Sequence, residues 1–89
     1  MFTTQREFKG KVTRKSHASL AGAAKYFSES AIDVGIVTVN RVSVVIPHEI
    51  QVDLLDGTIT SDSEAAQRIL DGWEVTGAER DCLIAIASA

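Results

Sequence analysis

The sequence lacks most of the residues on which the chemistry of small proteins depends. It has one cysteine, Cys82, so no disulfide can form within the chain, and its two histidines, His17 and His48, lie far apart. A metal site needs three or four converging His, Cys, Asp or Glu ligands, and no spacing here reproduces such a set. We therefore expect no metal, and the apolar neighbours of Cys82 indicate a buried thiol.

Glycine and proline are also scarce. The six glycines are isolated from one another, which excludes a phosphate-binding loop or a dinucleotide fingerprint. We therefore expect no nucleotide cofactor. The only proline is Pro47, and no linker or repeat divides the chain. Since 89 residues are enough for one hydrophobic core, the sequence predicts a single domain over 1–89.

Long apolar runs and nucleophile motifs are absent as well. No apolar run reaches the roughly 18 residues of a membrane span, and the first residues, MFTTQREFKGK, do not resemble a signal peptide. We expect a cytoplasmic protein that does not bind membranes. No serine lies in a G-x-S-x-G motif, and the carboxylate pairs Asp53/Asp56 and Asp62/Glu64 flank turns or a helix start, where free amides stabilise acids. The sequence thus predicts no catalytic residue.

Charge is present but unevenly divided. Residues 1–25 carry six cations and one acid, which gives +5, and residues 26–89 carry three arginines and eleven acids, which gives −8. Such an asymmetry can steer a charged partner. We expect partner-binding residues at both poles: Lys9, Lys11, Arg14 and Lys15 at the positive one, and Glu49, Asp53 and Asp56 at the negative one.

Periodicity predicts several elements. Residues 5–15 alternate and indicate a half-exposed strand, and residues 18–30 have the apolar spacing of an amphipathic helix. The β-branched run over 34–46, broken at Asn40-Arg41, predicts two strands joined by a tight turn. The S-x-x-E spacing that starts at Ser61 is typical of a capping box and predicts a second helix over 62–71, with Gly72 ending it.

One segment in the middle of the chain has two interpretations. Residues 47–57 alternate like a strand. However, Pro47 suits the first position of a helix and Gly57 suits a helix end. These two signals favour a short helix.

The end of the chain is ambiguous in the same way. A helix can start near Thr76 and Glu79. Alternation of Cys82, Ile84 and Ile86 instead favours a strand at 82–87, and residues 73–75 can form another. We expect the strand.

The order strand, helix, strand, strand, helix, strand predicts an α+β fold. It consists of an antiparallel sheet with two helices on one face, in ferredoxin-like (split βαβ) order, with an insertion at 47–60. Apolar residues on both faces of the predicted strands indicate a sheet covered on both sides. The second cover is the insertion, a second copy or another partner, and we expect a homodimer.

Apolar strands without any chemical motif favour a small non-enzymatic protein-binding module. Compact, acidic domains of this kind are frequent among phage and mobile-element inhibitors of host machinery, anti-CRISPR proteins included. Two alternatives stay open. One is a nucleic-acid-binding or regulatory protein that uses the basic first strand, which the sequence pI of about 5.2 disfavours. The other is a small dimeric enzyme with an intersubunit pocket.

Overall fold

The computed structural model describes residues 1–29 and 35–89, and of residues 6–8 and 29 it describes the backbone alone. Four strands form one antiparallel sheet in the order β2-β1-β3-β4, which confirms the α+β class. Val34 and residue 30, at the ends of two predicted elements, lie outside the described residues. The elements are β1 (Phe2–Phe8), β2 (Lys11–His17), α1 (Leu20–Glu29), β3 (Gly35–Val39), β4 (Val42–Ile46), α2 (His48–Asp56), α3 (Asp62–Gly72) and α4 (Gly77–Ala87).

Two hairpins, β1–β2 and β3–β4, make up the sheet, and each closes with a two-residue turn. Lys9 and Gly10 have φ angles of 51° and 78°, and Asn40 and Arg41 have 49° and 67°. Positive φ at both positions is what a type I′ turn requires, and its twist matches that of the strands. The predicted turn at Asn40-Arg41 is confirmed. The single strand over 5–15 is wrong, because Lys9-Gly10 reverses the chain.

The first helix links the two hairpins. β1 is antiparallel to both β2 and β3, so β2 and β3 are parallel to each other and α1 connects them as a split βαβ unit. Ser19 Oγ accepts a hydrogen bond from the N–H of Gly22 at 3.2 Å, which explains why this helix begins at Leu20. The ferredoxin-like order as a whole is not confirmed, since three helices follow the second hairpin.

The segment after β4 forms the predicted short helix α2. It ends at Gly57, whose φ of 86° is left-handed. Ile50 and Leu54 are buried, and Gln51 Nε2 donates a hydrogen bond to the carbonyl of Ile46 at 2.9 Å. α2 packs against α1.

The predicted helix at 62–71 is confirmed as α3. The hydroxyl of Ser61 accepts a hydrogen bond from the N–H of Glu64 at 3.1 Å, as the capping spacing predicts. The expected left-handed Gly72 is wrong. Gly72 is still helical, and the chain turns into an extended conformation at Trp73, whose N–H donates to the carbonyl of Ile69.

The predicted strand at 82–87 is wrong, and residues 73–75 form no strand either. Residues 77–87 form α4, in which Leu83 is fully buried and Cys82 and Ile86 are partly buried beside it. This spacing is that of one helix face. The helix lies along the edge of β4, where Glu79 Oε2 accepts the N–H of Val45 at 2.7 Å, and it packs against α3.

The two faces of the sheet differ. The inner face, which carries Val37 and Val44, packs on the helices, and both residues are fully buried. The outer face exposes Val12, Ile36 and Val45 by 47%, 45% and 45%, beside polar residues of the same strands. The 47–60 insertion is not the second cover of the sheet, because its helix α2 packs against α1 on the inner side, and cover by a second copy or a partner stays a prediction.

Candidate partner-binding surface

The four residues predicted for the positive pole lie on one hairpin. Lys9 is in the turn, and Lys11, Arg14 and Lys15 lie on β2. All four side chains are exposed. We call this element, residues 2–17, the basic hairpin. The structure thus brings together cations that the sequence spread over a supposed single strand.

Within residues 1–29 and 35–89, the basic hairpin extends past the rest of the sheet. β1 and β2 pair along seven residue pairs, whereas the described pairing of β1 with β3 is at Thr3 and Thr38, near the start of β1. Residues 11–16 of β2 are all exposed, and His17 is its first buried residue. The distal part of the hairpin is therefore a two-stranded ribbon that presents its cations to solvent.

A polar and aromatic cluster fixes the base of the hairpin to α1. Thr4 is fully buried; its hydroxyl lies 3.0 Å from His17 Nε2 and donates to the carbonyl of Lys15 at 3.3 Å. The ring of Tyr26 lies 5.4 Å from that of His17, and Lys15 Nζ lies 5.6 Å from the centre of the Tyr26 ring. These contacts couple the orientation of the ribbon to the helix.

His17 is the titratable group at this base. Burial lowers its pKa below the ordinary value of 6.5, and the nearby ammonium of Lys15 lowers the pKa further. Both effects disfavour the charged ring. Its surroundings therefore favour the neutral imidazole more than water does.

The residues predicted for the negative pole lie on α2, and two of them have partners within the chain. Asp53 Oδ2 forms an ion pair with Arg68 at 3.0 Å. Asp56 Oδ1 accepts the hydroxyl of Thr58 at 2.6 Å and its N–H at 2.9 Å, and these bonds lower the pKa of the carboxyl. Glu49 is exposed in the first turn of α2. Their role in partner binding stays a prediction.

The other carboxylate pair also contacts backbone amides. Asp62 Oδ1 accepts the N–H of Leu20 at 2.8 Å and so joins the start of α3 to the start of α1. Glu64 Oε1 accepts the N–H of Thr60 at 3.2 Å. These acids satisfy helix ends, which is the structural role that their positions predict.

An open groove of about 480 Å³ lies where α3 and α4 meet the start of β1. Phe2, Val39 and Ile86 line it, together with Cys82, whose Sγ is 3.7 Å from the carbonyl of Val39. His48 is exposed at the start of α2, away from this lining. The described part of the chain thus places neither histidine beside the cysteine in this groove.

Sequence reasoning missed the Lys9-Gly10 turn, although its signal was available. A glycine between two alternating runs is typical of a hairpin turn. The turn changes which residues share a face: Lys11 and Lys15 lie on the inner side of β2, and Arg14 lies on the outer side, where its Nε donates to Gln5 Oε1 at 3.1 Å.

Residues 1–29 and 35–89 contain no group of three or more His, Cys, Asp or Glu placed to hold a metal ion. None of the helices they form has the length and apolar character to cross a membrane. No known protein family, curated protein or solved structure matches the chain. Its function must therefore be argued from the geometry and charge of its own residues.

Proposed function

We propose that the protein is a small non-enzymatic binding module that docks its basic hairpin onto an acidic surface of a protein partner. The observation that carries this proposal is the concentration of four exposed cations, Lys9, Lys11, Arg14 and Lys15, on a ribbon that extends beyond the core. Complementary charge accelerates association and fixes orientation. A projecting ribbon can enter a concave site that a globular body cannot.

A protein partner is favoured over nucleic acid by the charge of the remaining chain. Residues 26–89 carry a net charge of −8, and a long polyanion bound at the hairpin would also approach this acidic body. A compact acidic site on a protein would not. Single-strand binders stack bases on aromatic side chains, and Phe2, Tyr26 and Phe27 are buried instead.

Nucleic-acid binding remains the second candidate because of one specific feature. The major groove of B-form DNA admits a two-stranded β-ribbon, and the basic hairpin is such a ribbon. This candidate predicts strong salt dependence, since each neutralised phosphate releases counterions. Salt dependence and probe preference therefore separate the two candidates.

A module of this kind would inhibit its partner by covering an acidic site, without any chemistry of its own. The finer proposal is a cytoplasmic inhibitor from a phage or mobile element, comparable in mode to anti-CRISPR proteins. It is supported by the acidic composition and small size of the chain. An enzyme with an intersubunit pocket has no geometric support in the described side chains.

The experiment compares two charge-reversed variants of equal net charge. Lys11→Glu/Lys15→Glu changes the hairpin, and Lys25→Glu/Arg41→Glu changes exposed cations elsewhere. Binding to a short polyglutamate peptide, which is too short to reach the acidic body, and to random duplex DNA is measured by fluorescence anisotropy at low and moderate salt. We expect polyglutamate to bind the wild type and the control alike, and the hairpin variant to bind at least about tenfold more weakly.

Two outcomes would contradict the proposal. If both variants bind polyglutamate equally weakly, the net charge of the protein determines binding and the hairpin does not. Tighter binding of DNA than of polyglutamate, lost on Lys11→Glu/Lys15→Glu, would replace the proposal with the second candidate.

A further inference from the structure

β2 is an edge strand whose outward backbone groups are open. Among the residues that the structure describes, the sheet order places it at one end, paired with β1 alone. In a two-residue turn the carbonyl before the turn accepts the N–H after it, here Phe8 and Lys11. Because such pairs alternate along an antiparallel ladder, the register directs the N–H and C=O groups of three residues away from β1: Val12, Arg14 and Ser16.

The other hairpin verifies this derivation. Its register pairs Val39 with Val42 across the turn, and the same alternation directs Val45 away from β3. The N–H of Val45 does point outward, since it donates to Glu79 Oε2 at 2.7 Å. Both hairpins therefore follow the same alternation, in which every second residue of the edge strand directs its N–H and C=O outward.

We propose that the β2 edge binds an acidic, extended segment of the protein partner by strand addition, so that the segment becomes a fifth strand of the sheet. This inference rests on the proposed function and specifies its mode. In strand addition, main-chain hydrogen bonds supply affinity and the alternating side chains supply specificity. The outward groups of β2 supply the bonds.

Charge complementarity determines the chemistry of the added strand. Lys11 and Lys15 lie on the inner side of β2 and Arg14 lies on the outer side. A strand added beside β2 thus faces cations on both sides. Opposite charges directly across a ladder stabilise it, and like charges destabilise it. Glutamate or aspartate at alternate positions lies on one face of the added strand, where it meets Lys11 and Lys15 on the inner side.

The same charges disfavour a second copy of the chain at this edge. Two β2 strands related by a two-fold axis pair most fully in the register centred on Arg14, and next most fully in the registers centred on Thr13 and on Lys15. These registers put Arg14 opposite Arg14, Lys11 opposite Lys15, and Lys15 opposite Lys15, respectively. Each brings like charges together, so an edge-to-edge dimer is the less favourable occupant.

The first test uses the wild-type protein and a synthetic peptide. The peptide has seven residues, the length of β2, in the sequence Glu-Thr-Glu-Val-Glu-Thr-Glu. A matched peptide is N-methylated at the alternate positions whose N–H groups would face β2. In ¹⁵N-labelled protein we expect the largest amide shift changes at Val12, Arg14 and Ser16, and at least about tenfold weaker binding of the methylated peptide.

The second test compares two variants of one residue. Arg14→Gln and Arg14→Pro both remove the charge and the bond to Gln5, but only proline also removes the outward N–H. An edge strand tolerates proline where the N–H is outside the ladder. We expect Arg14→Pro to bind the peptide about tenfold more weakly than Arg14→Gln does, with both variants folded by circular dichroism.

The outcomes separate the failure of this inference from the failure of the proposed function. Equal binding of both peptides, or of both Arg14 variants, overturns strand addition and leaves charge-driven docking in place. Absence of binding by both the peptide and polyglutamate overturns both proposals. A dimer of twice 9.6 kDa that the peptide dissociates to 9.6 kDa would mean that the edge serves a second copy, which also overturns strand addition by the partner.

Discussion

The two edges of the sheet belong to hairpins with similar turns, yet they differ in what covers them. At the β4 edge, α4 lies alongside and Glu79 accepts the outward N–H of Val45. At the β2 edge, residues 11–16 are exposed and carry cations. An uncovered edge invites aggregation, and lysine is a common means of preventing it. One edge is thus protected by packing and the other by charge.

The difference arises from where the following helix goes. After β2 the chain enters α1, which lies on the inner face and leaves the edge open. After β4 the chain forms three helices, and the last of them returns to the edge. We infer that the two sides of the sheet have different roles. The packed β4 side contributes stability, and the exposed β2 side is available for a partner.

The largest expected effect is on core packing, and two valines test it. Val44→Ala should destabilise the fold by about 2 to 3 kcal/mol, because Val44 is fully buried on β4. Val12→Ala on β2 should cost less than about 0.5 kcal/mol, because Val12 is 47% exposed. Urea denaturation measures both. A comparable cost at Val12 would show that the hairpin belongs to the stable core.

A smaller effect is expected at the covered edge. Glu79→Ala leaves the N–H of Val45 without its carboxylate and should cost about 1 kcal/mol. Glu79→Gln retains an accepting oxygen and should cost less. Asp81→Ala, at an exposed position of the same helix, is the control. Equal losses at Glu79 and Asp81 in thermal denaturation would argue that the edge bond contributes nothing specific.

The pH dependence of stability should come from the base of the hairpin. The folded-state pKa of His17 is lowered, so between that value and 6.5 the unfolded chain binds more protons than the folded one. Stability is therefore full above pH 6.5 and decreases as the pH falls toward the folded-state pKa. Thermal unfolding at pH 7.5 and 5 should show a decrease in the wild type and in His48→Gln. The decrease should be smaller in His17→Gln, and an unchanged decrease there would assign it to other groups.

The smallest effect concerns the outer face. Ile36 lies opposite Val45, and both are 45% exposed. We retain the homodimer as a separate proposal, in which this pair lies at the contact. Light scattering should then give twice 9.6 kDa for the wild type and 9.6 kDa for Ile36→Lys. A wild-type monomer would contradict it and indicate that water covers this face, as in many antiparallel sheets.

Local signals explain which elements the sequence predicts correctly. The β3–β4 turn follows from Asn40-Arg41, the start of α3 from the Ser61 hydroxyl, and the end of α2 from Gly57. Each depends on residues a few positions apart. The Lys9-Gly10 turn was equally local, but the alternation on its two sides was interpreted as one strand.

The last helix could not be predicted in the same way. Residues 82–87 alternate as a strand does. Whether they form a strand or a helix depends on contacts with residues distant in sequence. α4, whose Leu83 is fully buried, packs against α3, and Glu79 of the same helix binds Val45. These contacts stabilise the helix, and they are made with residues far from 82–87 in sequence.

The candidate site also has features that the sequence predicts and features that only the tertiary structure shows. The sequence alone determined the opposite charges of its two parts and identified Lys9, Lys11, Arg14 and Lys15 of the basic hairpin, because charge and composition are independent of the fold. Tertiary structure alone decided that these cations lie on an exposed edge strand and that Asp53 and Asp56 have internal partners. The physical reason is that an edge is open or covered according to which helix returns to it, and contacts between residues far apart in the chain determine that.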